Sequence, residues 1–262
     1  MNQTTNKADL DGELAQHDPF KLRSKREVAE ELKSLVHVYG KHANIVCKTE
    51  ERAPTPPRPN ELSVGVGPPG NNFIALWDKN VTLRWRFQER SMSIYANPTA
   101  AKNAIRRLFA DAVAAWGDAA PVKFSEQPNL CDFEIVVRAA NECNYNGCVL
   151  ASAFFPDTGK HNLTIYPEMF AQVRQEQVET FVHEIGHIFG LRHFFAQVSE
   201  QDWPSQVFGR HNPLTIMNYG AQSQLTSADK EDLKRLYQQA WSGQLRQING
   251  TPIKLMKPLR MP

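Results

Sequence analysis

The chain has little cysteine, almost no net charge and no long apolar run, and each shortage closes off a class of protein. Four cysteines in 262 residues are too few for a disulfide scaffold to stand in for a hydrophobic core. A net charge of +2 leaves no electrostatic footprint for nucleic acid or an anionic membrane surface. No apolar stretch approaches the ~20 residues that a membrane-spanning helix needs. Met1 to His17 is polar and lacks an apolar stretch, so no recognisable signal peptide is expected. Against these shortages stands a hydrophobic fraction of 41%, enough to bury a full core, and one main domain with appendages is the natural count.

The few cysteines leave the compartment open. Cys143 and Cys148, in C-N-Y-N-G-C, are close enough to close a small loop. Cys131 has either of them, or Cys47, as an alternative partner, and buried thiols are the other reading. Sequons at Asn80, Asn162 and Asn249 carry meaning only in a secreted chain.

Along the chain, residues 1–17 read as disordered. Residues 18–52 hold a helical segment. In it Ser24 and Glu27 form a capping box, Val28, Leu32, Leu35, Val36 and Tyr39 keep helical spacing, and Gly40 supplies the stop. Residues 53–70, rich in Pro and Gly, read as a linker or wrapping segment. The main domain is placed at 71–240. Its first strand, Val81 to Phe87, turns Leu83, Trp85 and Phe87 inward. Pro98 opens a helix whose Ile105, Leu108, Phe109, Ala112, Val113 and Trp116 share a face. Val122 to Ser125, Phe133 to Val137, Val149 to Phe155 and Leu163 to Tyr166 read as further strands. Gln175 to Phe189 reads as a helix, and Thr226 to Asp229 caps a last one carrying Leu233, Leu236 and Tyr237. Residues 241–262 form a basic tail, read as a solvated extension.

The chemistry is concentrated between His183 and His193, in H-E-I-G-H-I-F-G-L-R-H. On a helix, His183 and His187 stand at i and i+4, so both imidazoles leave one face a turn apart and reach one metal ion. Gly190 is able to take a positive φ that ends the helix and turns the chain back. His193 then arrives as the third ligand and leaves the fourth position of a tetrahedral zinc open for water. Three neutral imidazoles on zinc lower the pKa of a bound water to about 7. Glu184, beside the first ligand but not binding the metal, is placed as the general base for that water.

Downstream, residues 213–220 read P-L-T-I-M-N-Y-G. With the histidine motif this run resembles the metzincin zinc endopeptidases. The resemblance implies a methionine turn beneath the three histidines, with Met217 as its methionine. It also implies an oxyanion hydrogen bond from Tyr219, as in the astacin and serralysin branches. The strand L-R-W-R-F from Leu83, the helix end from Ala112 to Trp116, the run L-A-S-A-F-F-P from Leu150 and the helix start from Leu225 are similar to one branch, the matrixins. That similarity covers roughly residues 73–240. It implies an α+β fold: a twisted, mixed sheet, an active-site helix and a small C-terminal helical subdomain below the cleft. It also implies one catalytic zinc, protein or peptide substrates bound along an edge strand around Leu150 to Phe155, and an extracellular location.

Several positions depart from the matrixin pattern. Ser152 stands where matrixins carry a histidine for a second, structural zinc, and His161 is out of register with the missing partners. A calcium site in Asn141 to Gly147 is the one further metal the resemblance leaves open. Cys47 lacks the prodomain Pro-Arg-Cys-Gly context, and Phe194 follows the third histidine where matrixins have Ser and astacins Glu. Residues 18–70 either cover the cleft as a pro-segment or dock behind the domain. The expected activity is zinc-dependent hydrolysis of peptide bonds. The alternative is a non-catalytic zinc module that binds peptides or a partner in the same cleft. No nucleic acid or membrane partner is expected, and the sequence is silent on oligomeric state.

Overall fold

The computed structural model describes residues 73–144, 147–156, 159, 161–193, 206, 208, 215–217 and 223–258, with the backbone of 45–46. The expected disordered N-terminus, the helix from Ser24, Cys47, the Pro-rich linker, Phe194 and Tyr219 lie outside the described residues.

The elements run β1 (Ile45–Val46), β2 (Ile74–Trp77), β3 (Thr82–Phe87), α1 (Glu89–Met92), α2 (Pro98–Trp116), β4 (Lys123–Glu126) and β5 (Phe133–Val137). They continue with β6 (Cys143–Asn144), β7 (Gly147–Val149), β8 (Ala151–Ser152), β9 (His161–Ile165), α3 (Pro167–Ala171) and α4 (Arg174–Ile188). The chain closes with α5 (Ser227–Trp241), β10 (Gln247–Ile248) and β11 (Thr251–Met256). This is an α+β fold around a twisted mixed sheet of order β4-β3-β5-β9-β8. Its first four strands are parallel, and β8 is antiparallel at the edge.

The local sequence explains most of these elements. In β3 Leu83, Trp85 and Phe87 are buried and alternate with Arg84 and Arg86, as the period-2 pattern requires. All five residues of β5 are buried, because both faces of this central strand are covered. Glu134 tolerates that burial through an ion pair with Arg86 at 2.9 Å. Helix α2 starts where the Asn97 side chain accepts from Ala100 N and Pro98 supplies a preset φ. Its apolar stripe then packs between sheet and α4: the Phe109 ring meets Trp85 and Phe124 from the strands and Phe181 from α4, all edge-on. Val113, placed on that stripe from the sequence, is only half-buried.

Two expectations need correction. The run from Val149 to Phe155 is not one strand. It splits at Leu150, whose carbonyl accepts from Tyr166 N, and β7 and β8 go to different sheets. Strand β7 pairs with β6 in a hairpin closed by the Cys143–Cys148 disulfide, and runs parallel to β1. A continuous apolar run looks the same whether or not the chain changes sheets. The second correction concerns the tail. It is no solvated extension: β10 and β11 form a hairpin, and β11 runs parallel to β2 with Ile253 opposite Ile74 and Met256 opposite Trp77. Ile248 and Met256 enter the core. The signal was present in Asn249-Gly250, the dipeptide a two-residue hairpin turn favours, followed by a β-prone run.

Candidate metal centre

Helix α4 carries His183 and His187 on its inner face, and both are buried. The helix ends in a Schellman arrangement: Leu191 N donates to Gly186 O at 2.9 Å and Gly190 N to His187 O at 2.8 Å. Gly190 takes φ +89°, and a Cβ there would lie 3.0 Å from Ala75 O, so only glycine suits the turn. Three residues on, His193 is buried against the same two rings.

The three Nε2 atoms converge. They lie 3.1 Å apart for His183–His187 and His187–His193, and 3.3 Å for His183–His193. A tetrahedral zinc with ~2.05 Å bonds to nitrogen spaces its ligands ~3.3 Å apart, so the triangle fits that ion. The opposite ring nitrogens are committed elsewhere. His183 Nδ1 lies 2.7 Å from Ile216 O and His187 Nδ1 2.8 Å from Leu191 O. A carbonyl only accepts, so each Nδ1 carries the proton and each Nε2 lone pair is left for a metal. Burial and the neighbouring imidazoles push His187 well below the usual histidine range, which also favours the neutral, ligating form. Among the described residues, this is the grouping of His, Cys, Asp and Glu side chains able to hold a metal.

Glu184 sits one residue after the first ligand and is almost fully buried. Met217 lies beneath the helix. Its sulfur is 2.5 Å from where a Cβ on Gly186 would stand, so the helix approaches the methionine only because that position has no side chain. The Met217 turn is held from α5. Asp229 Oδ1 accepts from Thr215 Oγ1 at 2.6 Å, and Thr215 Oγ1 accepts from Met217 N at 3.3 Å. Asp229 also completes the capping box with Thr226. From the sequence Asp229 reads only as a cap; its second contact joins residues 14 apart and has no local signature. Tyr219 falls outside the described residues, as do 145–146 of the candidate calcium loop. Asn141, at the start of that loop, is bonded to Glu168 through both side-chain atoms.

The Gly186–Met217 contact makes a stability prediction. Gly186→Ala gains helix propensity but puts a methyl 2.5 Å from the Met217 sulfur, with the Trp116 ring in ordinary contact at 3.5 Å. Overpacking of this kind costs about 1–3 kcal/mol, so a net loss is expected in denaturant unfolding. A variant as stable as the parent would show that the methionine yields freely.

The matrixin family model (peptidase M10) matches residues 76–201. A curated relative, Metalloendoproteinase 4-MMP of Arabidopsis thaliana, is 29% identical over 133 residues, which are 45% of this chain and 38% of that protein. The chain thus spans about two fifths of that relative's length. Among solved structures, myroilysin is similar with a TM-score of 0.42 at 14% identity, over 62% of this chain and 95% of that one. The hatching enzyme high choriolytic enzyme 1 of Oryzias latipes is similar with a TM-score of 0.39 at 13% identity, over 62% and 94%. The matched segment contains the histidine triangle and the helix that builds it. Over residues 76–201, just under half of its length, the chain is thus similar to the matrixin family, and its three-histidine grouping lies inside that segment.

Proposed function

We propose that this chain is a zinc-dependent metalloendopeptidase that hydrolyses internal peptide bonds of protein substrates. The observation that carries the reading is the triangle of inward-facing Nε2 atoms with a buried carboxylate, Glu184, next to its first member. His183, His187 and His193 would hold the metal. Zinc bound there supplies a Lewis acid that polarises a carbonyl and acidifies a water. The rest is the work of the chain. Glu184 takes the proton of the attacking water on its carboxylate and returns it to the leaving amine nitrogen. Tyr219 donates a hydrogen bond to the developing oxyanion. Among the described residues β8 ends the strand order of the main sheet, and an extended substrate would add along that edge through main-chain hydrogen bonds. Met217 supplies an apolar floor that keeps the helix and its two ligands at fixed height.

The test uses the full-length protein with casein, before and after chelation and after zinc is returned. Cleavage that is lost with chelator and restored by zinc is expected. Intact casein in the presence of the zinc-loaded protein would instead point to the peptide-binding alternative. Elemental analysis is expected to give about one zinc per chain, because Ser152 replaces the histidine of a second site. Two stoichiometric zincs would overturn that count.

A further inference from the structure

We infer that Tyr237 and the C-terminal hairpin position the third metal ligand by clamping the end of α4. The inference rests on the zinc reading of the three histidines. His183 and His187 are spaced by helix geometry itself, but His193 follows a turn, and something outside the helix must place that turn. The last carbonyls of a helix have no partner within it. Here Ile188 O accepts from Trp77 Nε1 at 2.6 Å, and Phe189 O accepts from the Tyr237 hydroxyl at 2.9 Å. The same hydroxyl accepts from Trp77 N at 3.2 Å, so one closed ring of hydrogen bonds joins β2, α5 and the two residues before Gly190. Trp77 and Tyr237 are both fully buried, and burial keeps the Tyr237 hydroxyl protonated as a donor.

The hairpin fixes this ring from behind. Met256 stands opposite Trp77, Asp78 N donates to Met256 O at 2.8 Å, and Trp241 Nε1 donates to Trp77 O at 2.9 Å. The backbone of β2 also runs close to the Gly190 turn, where an added Cβ would lie 3.0 Å from Ala75 O. A second link reaches the chain beyond His193. Gln206 Nε2 donates to Thr251 Oγ1 at 3.2 Å, and Asn249 Nδ2 donates to Gln206 Oε1 at 3.0 Å. The hairpin, Tyr237 and Gln206 lie outside residues 76–201, the segment that the family model matches. None of them is a ligand or reaches the reacting atoms; Tyr237 and Gln206 are positioning residues. Groups that orient metal ligands from outside are typically worth 10–100-fold in metal affinity.

The test compares full-length wild type, Tyr237→Phe and Gln206→Ala. Zinc affinity is measured by competition with a chromophoric chelator, and amide exchange at Gly190 and Leu191 is followed in the metal-free protein. Asn97→Ala, which removes the distant cap of α2, is the control for lost stability without lost positioning. Tyr237→Phe keeps the ring and removes only the hydroxyl. It is expected to weaken zinc binding about 10-fold and to speed exchange at the turn, with Asn97→Ala changing neither. Gln206→Ala is expected to shift both readouts in the same direction, and carries the test alone if Tyr237→Phe does not fold. Affinity within twofold of wild type in the folded variants, or a loss matched by Asn97→Ala, overturns the inference. A wild type that binds no zinc would instead sink the metal reading on which it rests.

Discussion

Glu184→Gln is expected to keep the fold and the zinc and to lose about 10²- to 10⁴-fold in turnover, the range a positioned general base contributes. The substitution changes almost nothing but basicity. Gln fills nearly the same volume at a site that is 1% exposed, so packing around the helix is preserved. The amide, however, takes no proton from water, and the three imidazoles that would hold the metal are left as they were. Kinetically, kcat should fall while KM stays close to that of the parent, since the lost interaction exists only in the transition state. Glu184→Ala should lose as much activity and some stability as well, because it leaves a cavity in the core. The checks are turnover of a quenched peptide and zinc content by elemental analysis on the same preparation. Near-normal turnover in the zinc-loaded Gln variant would remove Glu184 from the mechanism.

The largest expected loss of stability is at Trp116. Its side chain is fully buried at the end of α2, with its Nε1 donating to Val182 O at 3.0 Å, one residue before the first ligand. The ring meets Phe189 edge-on at 5.5 Å and lies 3.5 Å from where a Cβ on Gly186 would be. Trp116 therefore packs directly against α4 and its C-terminal end. Trp116→Ala is expected to cost about 3–5 kcal/mol, the range for emptying an aromatic site in a core. That is a large part of the ~5–15 kcal/mol that holds a domain together. Trp116→Phe keeps most of the packing and should lose mainly the hydrogen bond, about 0.5–1.5 kcal/mol. Denaturant titration of the metal-free proteins separates the two, and an Ala variant within about 1 kcal/mol of the parent would contradict this account of how α4 is held.

Different parts of the molecule were legible to different degrees. The metal triangle was the most legible, because i, i+4 spacing and a glycine turn are local rules and the helix obeys them wherever it is packed. Helices α2, α4 and α5 were legible for the same reason: apolar periodicity, a helix-opening Pro98 and the Thr226 cap act within a few residues. The break at Leu150 was not, since Val149 to Phe155 is apolar on either side of the change of sheet. The tail was misread although Asn249-Gly250 marked its turn, because Arg246, Lys254, Lys257 and Arg260, with no acid among them, read as solvated chain until a partner strand is known.

By itself, then, the sequence determined which three imidazoles can meet a metal and where helices α2, α4 and α5 begin. The tertiary structure alone decided what holds those atoms still. Trp77 bonds Tyr237 across 160 residues, Thr215 bonds Asp229 at the floor of the site, and β11 pairs with β2 from opposite ends of the described chain. Such contacts have no signature in spacing, because a hydrogen bond between distant residues depends only on where the folded backbone brings its donor and acceptor.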